Sequence, residues 1–183
     1  MQKATQMTAT KRLVLTAVNI ALCLVLPMAF HSIPNGGKIM LPMHIPVLLC
    51  GMVCGAPYGA VCGLLGPMLS SVLTGMPTAA LMPAMMVECA AYGLTTGLML
   101  RLVRTGKTYD DLYLSLAAAM LVGRLVSGVT KALFFMAGQY TMQAWIAASF
   151  VTALPGIVLQ LAVVPSIVYS LMRAGLIPQR YPR

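Results

Sequence analysis

Three residues carry charge where apolar stretches should carry none: Glu88 near the middle of 81–100, and Arg124 and Lys131 within 112–136. Each costs roughly 2.5 to 3.5 kcal/mol to place in a membrane helix, so each needs a partner or a water-filled cavity. Arg124 and Lys131 are seven residues apart, close to two turns, and share one helical face. In antiparallel helices Glu88 lies about seven residues from the outer end, Lys131 about five and Arg124 about twelve. At roughly 1.5 Å per residue the bases then sit about 3 and 8 Å from the level of the carboxylate. Glu88 can reach either base, and one positive charge is left over. Tyr92 follows one turn below Glu88 on the same face. The set either locks helices together as a buried ion pair, or grips an anionic, carboxylate-bearing ligand in the outer half of a membrane, capped by residues 31–41 and 70–80.

Gln160 lies at comparable depth and can serve the same site or hydrogen-bond a neighbouring helix. Trp145 and Tyr140 fall near the outer boundary, where aromatic residues anchor helices at the interface. His31 and His44 flank the outer loop, but two histidines without carboxylate or thiolate company make a poor metal site. Cys23, Cys50, Cys54, Cys62 and Cys89 lie in apolar runs with neither a C-x-x-C nor a zinc spacing, and read as reduced packing residues. The run Gly123-Arg-Leu-Val-Ser-Gly128 has a phosphate loop's glycine spacing but lacks the following Lys-Ser/Thr and lies inside a helix. No nucleophile elbow, H-E-x-x-H motif or carboxylate pair is present, so the chain reads as a non-enzyme without cofactor or metal.

The elements that position these residues follow from composition. In 183 residues, 60% are hydrophobic, 8% charged, and the mean hydropathy is +0.89, which excludes a water-soluble fold. Three acids cannot solvate a surface of this size, so lipid must be the main solvent. Pro, Gly and charge divide the chain into an all-α membrane domain of six expected transmembrane helices, at about 13–30, 42–55, 57–74, 81–100, 112–136 and 149–172. The first exceeds a signal-peptide core and lacks an A-x-A site, so it is expected to stay as a membrane helix. The second is short for a crossing and should be buried by neighbours or tilted beside a loop. Thr108-x-x-Asp111 resembles a capping box opening the fifth.

The net charge of +9 does not gather into one basic stretch with interleaved aromatics, which argues against nucleic acid. Lys3, Lys11, Arg12, Arg101, Arg104, Lys107, Arg173, Arg180 and Arg183 fall at the ends or between the fourth and fifth helices, while the opposite loops hold only Lys38. Both termini are therefore expected in the cytoplasm. Gly51, Gly55, Gly59 and Gly63, then Gly93 and Gly97, form small-residue ladders where helix backbones can approach closely.

The layout is similar to the substrate-binding S components of energy-coupling factor (ECF) vitamin transporters, over nearly the whole chain. The family's first helix carries an A-x-x-x-A face, matched by Ala17-Val-Asn-Ile-Ala21, and Leu41-Pro-Met-His-Ile-Pro-Val-Leu-Leu-Cys-Gly51 with Gly55-Ala-Pro-Tyr-Gly-Ala-Val-Cys-Gly63 resembles its stretch after the first outer loop. The resemblance implies capture of a small water-soluble vitamin or precursor. It also implies docking of Ala17 and Ala21 on a transmembrane coupling subunit, and ATP supplied by two ATPase subunits. The ligand role then falls by position to Glu88, Tyr92, Arg124, Lys131 and Gln160. Pantothenate, with its carboxylate, suits a surplus cation, as do other anionic ligands of the family. A stand-alone secondary carrier, whose buried charges relay protons, and a non-transporting assembly protein remain as competing readings.

Overall fold

The structure, a computed structural model, describes residues 7–30, 36–135 and 141–181. Every regular element among them is helical. Helix α1 (Ala9–Ala29) starts where the Thr8 hydroxyl accepts the Lys11 N–H, satisfying one of the open donors of a first turn. Its inward face carries Thr16 and Asn19, whose side chains donate to the Arg12 and Leu15 carbonyls at 2.8 Å and so bring no unsatisfied polar group into the core. Ala17 and Ala21 lie on the outward face with Val14, Val18 and Val25.

After a single helical turn, α2 (Gly36–Met40), comes α3 (His44–Cys54), the short apolar helix expected at 42–55 and buried along most of its length. Gly55, at φ +99°, takes a conformation that side chains disfavour and turns the chain into α4 (Ala56–Thr74). Helix α4 packs on α5 (Met82–Leu102) along the glycine ladders. A Cβ on Gly93 would stand 3.0 Å from the Gly59 Cα and closer still to its carbonyl. Nothing larger than hydrogen fits there, and the two backbones gain dispersion contact in return. All five cysteines are free and buried in this part of the core.

Helix α6 (Thr108–Thr130) begins four residues ahead of the expected boundary and continues as a π-helix, Lys131–Phe135. Residue 136, the expected end, lies outside the described residues. The last expected helix, 149–172, is built in two pieces, a π-helix (Ala147–Thr152) and α8 (Leu154–Arg173), with a short helix α7 (Met142–Ile146) ahead of the expected start. The expected capping box at Thr108 is not formed. Asp111 reaches back to the N–H and hydroxyl of Thr105, both at 2.7 Å, and takes Arg180 and the Tyr181 hydroxyl as further donors. Being fully buried, the carboxylate needs all of them.

That clasp, with a hydrogen bond from Lys11 Nζ to the Leu176 carbonyl, ties the start of α1, the α5–α6 turn and the segment after α8 to one end of the bundle, here the basic end. Among the described residues, four helices are long and apolar enough to cross a membrane: Ala9–Ala29, Ala56–Thr74, Thr108–Leu133 and Leu154–Arg173; His44–Cys54 is a shorter apolar helix. The chain is a membrane-embedded helical protein.

Candidate functional site

Away from the basic end, α3, α5 and α6 converge on Glu88. One carboxylate oxygen, Oε2, accepts the Ser127 hydroxyl at 2.6 Å and Lys131 Nζ at 3.3 Å. Ser127 on α6 and Lys131 at the start of its π-helical continuation are one turn apart, so a single carboxylate engages both. The other oxygen, Oε1, lies 3.4 Å from His44 Nε2, the first residue of α3. That approach is close but not aligned as a hydrogen bond, and neither ring nitrogen of His44 has one. The imidazole, 2% exposed, stands edge-on to the Tyr92 ring with centroids 4.9 Å apart. Tyr92 in turn fills the space that Gly123 of α6 leaves open, since a Cβ there would come within 2.6 Å of the ring.

Of the two bases within expected reach, Glu88 takes Lys131. Arg124 points elsewhere. Its Nε donates to the Ser149 carbonyl at 2.6 Å and its guanidinium lies 5.7 Å from the Phe150 ring centroid, a cation–π distance. Ser149 belongs to the π-helix ahead of α8. Trp145 closes the arrangement from α7 by donating Nε1–H to the Arg124 carbonyl at 3.1 Å. Its indole lies where Gly128 has no side chain. Trp145 thus packs on α6 instead of standing as a free interface anchor.

Electrostatically the site is unbalanced. Glu88 and Lys131 compensate each other, Lys131 being the more open of the pair at 29% side-chain exposure against 12%. Arg124 is buried, and no carboxylate pairs with it among the described residues. Gln160 is buried in α8 with its Nε2 unpartnered among the described residues. Cavities of about 330 and 360 Å³ lie at the basic end, beside Met52, Leu100, Arg104 and Tyr181, and against α8 at Ser166 and Ser170; neither adjoins Glu88.

Four of the five expected site residues divide into two groups, and Gln160 is bonded to neither. Glu88, Tyr92 and Lys131 are joined through His44 and Ser127, whereas Arg124 is joined to Ser149, Phe150 and Trp145. His44 and Ser127 are the members that sequence reasoning missed. A neutral serine gives no charge signal, though its spacing from Lys131 places it on the same face. The sequence offers His44 only as a candidate metal ligand, since nothing in its spacing ties it to Glu88. His31, Tyr140 and residues 31–35 of the expected cap lie outside the described residues, as do Lys3 and Arg183.

A family model described as ECF transporter, substrate-specific component, matches residues 11–168. No curated protein and no solved structure matches the chain significantly. The matched range takes in α1 to α6 and most of α8, and so every residue of both groups.

Proposed function

Since the chain belongs to the family of substrate-specific components of ECF transporters, we propose that it captures an anionic, water-soluble vitamin or precursor in the outer half of the cell membrane. Glu88, Tyr92, Arg124, Lys131 and Gln160 contribute to the site. In this reading the chain crosses the lipid six times with both ends in the cytoplasm. Release inward depends on a transmembrane coupling subunit, docked at Ala17 and Ala21, and on two ATPase subunits.

The observation that carries the anionic ligand is Arg124: a buried guanidinium with a carbonyl and an aromatic face for company, but no counter-ion among the described residues. Buried charge without compensation is costly, and a ligand carboxylate supplies the compensation. Lys131, partly exposed beside the ion pair, offers a second positive group on the way in. The stitching of both described chain ends to the basic end supports an even number of crossings, and the excess of Lys and Arg there supports its cytoplasmic placement.

The test is purification from native membranes, mass spectrometry of the retained compound, and titration of that compound into ligand-free protein. The expected compound bears a carboxylate or phosphate, and the two ATPases co-purify under mild conditions. A neutral or cationic ligand overturns the charge assignment, and uptake that is indifferent to loss of the ATPases overturns the transport assignment.

A further inference from the structure

The cavity of about 330 Å³ at the basic end is formed by α3, α5, α8 and the segment after α8. Its volume is at the small end of ligand pockets, which run from about 300 Å³ upward. The lining is divided. Met52, Leu100 and Met172, all buried, supply an apolar wall, and Arg104, Gln179 and Arg180 supply a polar one. The polar wall is positively charged. Arg180 is already matched: its Nε donates to Asp111 and its Nη2 to the Val103 carbonyl, while Nη1 has no partner among the described residues. Arg104, two residues past the end of α5, meets no carboxylate among the described residues. The cavity therefore keeps one positive charge uncompensated.

A separate feature sets the level of this cavity relative to the lipid. Tyr109, in the first turn of α6, stacks on Tyr169 of α8 with ring centroids 4.3 Å apart, and Tyr109 and Tyr113 are 46% and 43% exposed. Exposed tyrosines gather where a helix passes from hydrocarbon into headgroups. Met172 follows Tyr169 by three residues, about 5 Å along α8, so the apolar wall lies close to the level of the rings. Arg104 precedes α6 altogether and stands on the headgroup side of them. An apolar wall below and an unmatched guanidinium above suit an amphiphile with an anionic head, and basic pockets between helices at a membrane surface are sites of that kind.

We propose that the cavity is a site for the headgroup of an acidic phospholipid, its phosphate held by Arg104 and Arg180 and its glycerol laid against Met52, Leu100 and Met172. Free phosphate shares the anion but has nothing to place on the apolar wall. The site is distinct from the one around Glu88 and does not depend on what is bound there. Because Arg180 lies in the segment after α8, an occupant also braces that segment against α5.

The experiment uses the full-length protein, delipidated in detergent, and titrates it calorimetrically with short-chain phosphatidylglycerol, short-chain phosphatidylcholine and inorganic phosphate. Phosphatidylglycerol is expected to bind one per chain and about tenfold more tightly than either other probe. Inorganic phosphate binding as tightly makes the occupant a free anion and overturns the lipid assignment; phosphatidylcholine binding as tightly overturns the charge contact. Arg104→Gln is expected to weaken phosphatidylglycerol about fivefold, or about 1 kcal/mol. Lys107→Gln, which removes an equal charge at the same end but outside the cavity lining, is expected to leave it unchanged. Equal weakening by both substitutions means a diffuse basic surface and overturns the site. Where Arg104→Gln does not fold, native mass spectrometry of the wild type taken from membranes decides: one retained acidic phospholipid is expected, and retention of neutral lipid alone, or of none, overturns the proposal.

Discussion

Glu88 and Lys131 meet at 3.3 Å across the α5–α6 interface, and the same carboxylate holds Ser127 of α6 and lies against His44 of α3. One acid thereby joins three helices. Removing the base strands a nearly buried carboxylate, whereas removing both charges does not. Lys131→Met is therefore expected to lower the melting temperature, and Glu88→Gln with Lys131→Met to recover most of the loss. The coupling is about 1 kcal/mol, kept small by the partial exposure of Lys131. Lys131→Met is also expected to weaken an anionic ligand more than a neutral analogue; equal weakening argues against an ion contact.

Trp145 is the only tryptophan in the chain, and its indole is hydrogen-bonded to the Arg124 backbone. Fluorescence excited selectively at tryptophan, apart from the seven tyrosines, therefore reports on the Arg124 group. Ligand capture by the guanidinium should shift the emission, and Arg124→Gln should abolish the shift and lower affinity at least tenfold. An unchanged spectrum on saturation of the wild type would separate the ligand from Arg124.

The α4–α5 contact tolerates no side chain at Gly93, whereas Gly37 has nothing within reach of an added Cβ. Gly93→Leu is expected to abolish folding or to cost well over the 1–3 kcal/mol typical of overpacking, since the obstacle is backbone. Gly37→Ala is expected to leave the melting temperature unchanged. Thermal melting of both in detergent checks the contrast.

Asp111→Asn removes the charge that holds Arg180 and leaves a fully buried amide among donors chosen for a carboxylate. The expected loss is about 2 kcal/mol, with faster tryptic cleavage after Arg173 and Arg180. Cleavage at the wild-type rate would mean that other contacts hold the segment.

Ala17 and Ala21 face away from the bundle, so leucine at both positions should leave folding and ligand affinity intact. Co-purification of the ATPases should fall. An unchanged complex would move the docking surface off α1.

Much of the helical layout was legible because each element carries its own signal: apolar length, punctuation by Gly and Pro, and glycine spacing at Gly59 and Gly93 where backbones touch. The pairing of Glu88 with a base was legible too, since an intramembrane acid must be compensated. Which base it takes was not. Arg124 and Lys131 share a face in an ideal helix, and Arg124 is instead engaged by Ser149 and Phe150, some twenty-five residues on, a contact that no local pattern announces. The capping box at Thr108 failed for a similar reason: Asp111 had better donors in Thr105, Arg180 and Tyr181, the last two about seventy residues away.

Backbones that interlock as those of α4 and α5 do at Gly59 and Gly93 have no compliant side chains to shear, so the pair moves as a single slab. On the reading proposed above, room for a solute would then come from side-chain contacts, such as those of Arg124 with Ser149 and Phe150, and not from this backbone seam.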